Sequence, residues 1–274
     1  MKKIIAMLLA LCMVLAFAAC NNAPATGDTT DSTPAATDST PTADSTPAAD
    51  STPAASGEDV AVMTYDEFMA AEKDALVCVE TYVQAAQGWW NDQQTIYAQS
   101  PDGGCFIYNA ACSKDLSDKL VPGTKIRVSG DKAIFSGLHE IMNGTIEIVE
   151  GGDIYIAEAQ DLTAKLGTDE IEDYMAQFAS FKDMTVVAAN DAGDAFLYNW
   201  DGSGSADSDS DLYFTVSSND QTCTFVVEYY LTGPDSDVYK TVQNLKVGDK
   251  VDIECFLYWY EGAQPHVTSI TVAE

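Results

Sequence analysis

Few side chains in this chain have types and spacing suited to chemistry, and most of them are aromatic. QAAQGWWNDQQTIYAQ, residues 84–99, sets Trp89 and Trp90 side by side between two stretches that read as β-strands. Neighbouring side chains on a strand point to opposite faces, so one small core does not bury both. If the inward alternation of Val77, Val79, Thr81 and Val83 continues, Trp89 faces the core and Trp90 faces out, unless a bulge at Gly88 reverses the pair. An outward indole is a platform for a sugar ring, a base or an apolar peptide side chain; its competing use is as a plug between packed elements. FLYWY, residues 256–260, raises the same question, because alternation sends Leu257 and Trp259 one way and Phe256, Tyr258 and Tyr260 the other. Trp89, Trp90 and Trp259 are therefore candidate ligand-binding residues.

Charged residues offer a second set. Lys125 and Arg127 alternate with Ile126 and Val128, a local basic stripe that Lys132 extends, and Arg127 is the only arginine in the chain. Lys125 and Arg127 would anchor an anionic ligand or form a surface ion pair. The loop WDGSGSADSDSDLYF holds Asp201, Asp207, Asp209 and Asp211, spaced like the start of a calcium loop. An EF-hand would need glycine and glutamate where Leu212 and Ser218 stand, so a flexible acidic loop is expected and no metal site. Catalysis needs a positioned base or nucleophile, yet His139 and His266 have no motif context. Cys112 precedes Ser113, whose capping position would favour a thiolate, but no histidine lies nearby in sequence. The chain is expected to be no enzyme and to carry no cofactor.

The elements that must position these residues come in two copies. Each half opens with an expected amphipathic helix, TYDEFMAAEK at 64–73 and TDEIEDYMAQFASF at 168–181, with capping-box spacing at Thr64/Glu67 and Asp169/Glu172. Lys73-Asp74 then matches Lys182-Asp183, Cys105 in DGGCFIYN matches Cys223 in DQTCTFVV, and Gly123 matches Gly248 in LVPGTKIRVSG and LKVGDKVDIEC. The order within each copy is helix, three strands, a connecting segment (SKDLSDKL in the first) and two strands, which is the order of the OB-fold. Ser136-Gly137 and Glu261-Gly262 are expected to turn strand four into strand five, and Asn143-Gly144 to form a bulge. The fold class is thus all-β with short helices: two tandem five-stranded OB-like barrels, residues 60–160 and 161–274. OB barrels hold ligands across strands two and three, bounded by the loop between strands one and two, where Trp89, Trp90 and, in the second copy, Trp200 fall.

Upstream of the barrels, Lys2 and Lys3, an apolar run from Ile4 to Phe17 and Ala18-Ala19 before Cys20 read as a secretory signal, residues 1–19. FAAC resembles the lipobox of bacterial lipoproteins, which implies a palmitate-type acyl chain on Cys20, a lipid bilayer as partner and a place on the outer face of the cell membrane. Residues 20–59 repeat DSTPAA-like units with no apolar side chain larger than alanine or proline, a disordered linker. Five further cysteines, Cys78, Cys105, Cys112, Cys223 and Cys255, form no CxxC pair and read as small buried hydrophobes. A net charge of -30 repels phosphate backbones and anionic headgroups, so no nucleic acid is expected and a glycan or peptide is the expected ligand.

The run YVQAAQGWW through IYAQSPDGGCFIYNAACSKDLSDKLVPGTKIRVSG is similar to OB-like domains of secreted lipoproteins from anaerobic Gram-positive gut bacteria, over roughly residues 64–150. That resemblance implies fold and location; the group has no assigned activity and transfers no functional residues. The expectation is a membrane-anchored, non-enzymatic binding or adaptor module. The alternatives are a structural envelope component whose aromatics pack barrel against barrel, and a weak cation binder.

Overall fold

The computed structural model describes residues 60–273; the expected signal 1–19, lipidation at Cys20 and the linker 20–59 lie outside the described residues. The first copy starts with α1 (Tyr65–Ala70), where the Thr64 hydroxyl accepts from Glu67 N and the Glu67 carboxylate accepts from Thr64 N, so the expected capping box forms. Strands β1 (Leu76–Ala86), β2 (Gln93–Ser100) and β3 (Gly103–Ala111), then α2 (Lys114–Ser117), β4 (Lys125–Phe135) and β5 (Leu138–Ile148) follow. They close in the order β1-β2-β3-β5-β4, with β3 and β5 parallel. Inside lie Val77, Val79, Val83, Ile96, Ile107, Ile126, Val128 and Ile141, the apolar half of each alternating strand. Ser136 (φ 47°) and Gly137 (φ 95°) make the expected turn between β4 and β5. Asn143 (φ 52°) sits where Ser129 pairs with Thr145 but Asp131 pairs with Met142, which is the expected bulge.

The second copy comprises β6 (Gln160–Asp161), a 3-10 helix (Asp169–Tyr174), β7 (Phe178–Val187), β8 (Phe196–Tyr198), β9 (Leu212–Ser218), β10 (Gln221–Val227), α3 (Asp237–Gln243), β11 (Lys250–Phe256) and β12 (His266–Val272). Pairing of β7 with β9 closes β7-β9-β10-β12-β11 into the same five-stranded ring, with β10 and β12 parallel and with β6 and β8 added at its sides. The repeat extends to backbone conformation: Asp74 (66°) and Asp183 (51°) both have positive φ, as do Gly123 (89°) and Gly248 (99°). One element departs from expectation. The helix anticipated over 168–181 is the 3-10 turn alone, without a side-chain cap. Ala176 N donates to Leu257 O (2.8 Å) and Leu257 N to Gln177 O (2.9 Å), while Ala179 and Phe181 alternate into the core, so strand pairing outcompetes continuation of the helix.

Both barrels belong to one compact unit. Every residue of β2 from Gln94 to Gln99 is buried, because Ile96 and Ala98 face the first core while Tyr97 faces the second barrel. There Tyr97 stacks on Phe256 (4.8 Å, 24°) and Phe106 meets Tyr258 edge-on (5.3 Å). Each such pair adds about 0.5–1.5 kcal/mol beyond burial. Gln99 Oε1 accepts from Phe178 N at 2.7 Å. Gly104 lets β3 approach the second barrel so closely that a Cβ there would run into the Ala176 backbone.

Candidate ligand-binding cleft

The face formed by strands two and three, where OB barrels hold their ligands, is treated differently in the two copies. In the first it is the outer side of β2 and β3, and Phe256, Met175 and Ala176 of the second barrel cover it. In the second it is the outer side of β9 and β10, and it opens into a cleft of 590 Å³, a volume within the range of small-molecule sites. Tyr213, Val226 and His266 form its floor; Trp200, Tyr258, Tyr260 and Gln264 form its walls; Phe135 closes it from the first barrel; Asp211 and Glu228 supply charge.

Each wall is held by identifiable contacts. The hairpin carrying Tyr258 and Tyr260 is fixed to the first barrel through Glu261 N, which donates to Ser136 O at 2.7 Å, and Phe135 lies 5.8 Å from Tyr260 between ring centres. Trp200, 76% exposed, follows Asn199, whose amide donates to Asp211 O at 2.8 Å. Asp211 Oδ1 accepts from Tyr229 N at 2.8 Å, and burial still holds this carboxyl above the ordinary range. Glu228 accepts from Gln87 Nε2 at 3.0 Å, yet burial, reinforced by the Asp211 charge, pushes it up to about 7. The His266 ring stacks on Tyr258 (4.1 Å, 15°), and its Nδ1 shares a hydrogen bond of 2.6 Å with the Tyr97 hydroxyl. Burial drives His266 down to about 3, so it is neutral at neutral pH. Among the described residues, no lysine or arginine lines the cleft.

None of the candidate ligand-binding residues Trp89, Trp90, Lys125, Arg127 and Trp259 lines this cleft. Trp90 faces out, 70% exposed, beside a two-residue turn at Asn91 (50°) and Asp92 (55°) that closes the β1–β2 hairpin. Trp89 is half-buried and its Nε1 donates to Cys112 O at 2.8 Å. Trp259 packs against both the second core and the interface between the barrels, over Gly137, while its neighbours Tyr258 and Tyr260 reach the cleft. Lys125 and Arg127 converge on Glu80, each at 2.7 Å, and these two cations hold its carboxyl below the usual range.

Two expectations need correction. Lys132 does not extend the basic stripe: it shares the parity of Ile126 and Val128, is fully buried, and sets its Nζ 3.3 Å over the Phe68 ring centre. The Cys112 thiol is pushed up by burial, so capping by Ser113 does not yield a favoured thiolate. Sequence reasoning set Asp211 aside as part of an acidic loop and His266 for want of motif context, and did not reach Tyr213 or Glu228. Only Tyr213 had a usable signal there, since Leu212, Phe214 and Val216 turn inward and leave it facing out.

No protein-family model and no curated protein matches the chain. Solved structures of similar outline include the Ifi202 HINa domain in complex with a 20-bp double-stranded DNA (12% identity, 73% of this chain and 98% of that one, TM-score 0.33). A murine DNA-binding protein bound to double-stranded DNA gives 13%, 71%, 97% and 0.31 in the same order. A replication protein A heterotrimer bound to single-stranded DNA gives 8%, 79%, 70% and 0.25. These likenesses are too distant to assign a ligand. The expectation that nucleic acid is excluded is withdrawn, since these neighbours were themselves solved with double- or single-stranded DNA bound. Net charge averages over the whole chain, whereas a barrel meets a strand through one face whose stacking aromatics and local cations decide the outcome.

Proposed function

We propose that this chain is a non-enzymatic binding module that takes a peptide or glycan in the cleft of its second barrel, with an acylated Cys20 tethering it to the outer face of the cell membrane. One observation carries the binding reading: the strand-two and strand-three face is sealed in the first barrel and open in the second, where it is lined by aromatic side chains. Sealing supports a packing role for the first barrel's aromatics, while the exposed Trp200 supports a recognition role for the second's. The non-enzymatic reading rests on the neutral, hydrogen-bonded His266 and on thiols that are all buried among the described residues. Anchoring rests on the lipobox-like FAAC alone.

The test of binding is a fluorescence titration of residues 60–274 with short peptides, neutral oligosaccharides and single-stranded DNA, beside a Trp200→Phe variant. Binding that changes the signal of the native chain and not of Trp200→Phe supports the cleft. A titration unaffected by the substitution refutes it. Anchoring is checked by metabolic labelling with palmitate, which Cys20→Ala should abolish.

A further inference from the structure

The chemistry of the cleft walls narrows the ligand, and the inference rests on the cleft being the binding site. Trp200, Tyr213, Tyr258 and Tyr260 line one space, with Tyr258 stacked on His266, and ring faces carry partial negative charge. Asp211 and Glu228 add two carboxyls to the same space, and among the described residues no basic side chain lines it to neutralise them. The one imidazole, His266, is held neutral with Nδ1 already bonded to Tyr97, so it supplies no opposing charge. In the first barrel, by contrast, carboxylate and cations are matched, since Glu80 lies between Lys125 and Arg127.

We infer that the cleft recognises an alkylammonium group, presented as a lysine side chain of a peptide, with its methylenes against the tyrosine rings and its ammonium between Asp211 and Glu228. Aromatic walls bind such a group through both ends: the apolar stem gains burial and the charged head gains cation–π attraction. Carboxylates that are costly to keep charged in a desolvated site become less so once a cation sits between them, which agrees with the raised titration of both. The net charge of -30 adds long-range attraction for basic peptides. Asp211 and Glu228 are also fixed in place by Tyr229 N and Gln87 Nε2, so little ordering accompanies binding.

The test titrates residues 60–274 with acetyl-Gly-Lys-Gly-amide and with the norleucine peptide of the same length, following Trp200 fluorescence at low salt. A neutral oligosaccharide and a short single-stranded DNA run beside them. The lysine peptide should bind about tenfold more tightly than the norleucine peptide, as expected for one desolvated charge interaction. Asp211→Asn and Glu228→Gln keep the side-chain shapes and should each erase most of that preference. Equal binding of the two peptides, or binding of the oligosaccharide or DNA in preference to both, overturns the ammonium inference while leaving the cleft as the site. Failure of every probe to change the Trp200 signal overturns both.

Discussion

Lys132 is a buried cation without a hydrogen-bond partner for its Nζ among the described residues, and replacing it with methionine should stabilise the protein. Desolvation lowers its pKa from 10.5 to about 8. At ~1.4 kcal/mol per pKa unit, that shift corresponds to a penalty of about 3 kcal/mol for the charged form. The sign follows from which state holds the proton. Below the folded value both states are charged and the folded state bears the whole penalty; between the two values the unfolded state alone is charged, so stability rises with pH; above 10.5 nothing remains of it. Methionine matches the stem and removes the charge, at the loss of the contact with the Phe68 ring, which offsets about 1 kcal/mol. Lys132→Met should therefore gain about 2 kcal/mol in urea unfolding at neutral pH, and the gain should shrink steadily above pH 8. A variant that is less stable at neutral pH, or a gain that does not change with pH, would refute the reasoning.

Three further outcomes follow from named contacts. Gly104→Val should cost about 1–3 kcal/mol by overpacking the junction of the barrels, whereas Gly88→Ala, with open space around the new Cβ, should leave thermal unfolding unchanged. Equal effects of the two would show that the barrels do not meet at Gly104. Trp89→Phe removes an indole donor to Cys112 O and should cost about 1 kcal/mol, while Trp90→Ala should leave the melting temperature alone and remove a strongly acrylamide-quenched component of the fluorescence. The reverse pattern would mean that the two indoles are assigned to the wrong faces. Glu80→Gln should lower the melting temperature slightly at low salt, with the difference vanishing at ~1 M salt as screening takes over; a difference that persists there would mean that Glu80 acts through packing.

The barrels were legible because period-two alternation and turn chemistry are local signals. Val77, Val79 and Val83 face inward as their spacing requires, Ser136-Gly137 turns the chain, and Asn143-Gly144 bulges it. The second helix was misread because its sequence is locally helical, while Ala176 and Gln177 are claimed by Leu257, far along the chain. The cleft was hidden for the same reason. Asp211 appeared in an acidic loop, Glu228 and His266 in unremarkable contexts, and Phe135 in the other barrel; pairing of β9, β10 and β12 brings the first three together, and packing of the barrels adds Phe135. Alternation in FLYWY separated its two faces correctly, but the face bearing Trp259 turned inward and the face bearing Tyr258 and Tyr260 formed the wall.

The chain has four tryptophans, and their indole N–H resonances, assigned by single substitution in residues 60–274, report directly on where a ligand sits. Adding the lysine peptide should move the Trp200 resonance and leave those of Trp89 and Trp90 in place. Movement confined to Trp90 would put recognition on the first barrel's hairpin and contradict the account.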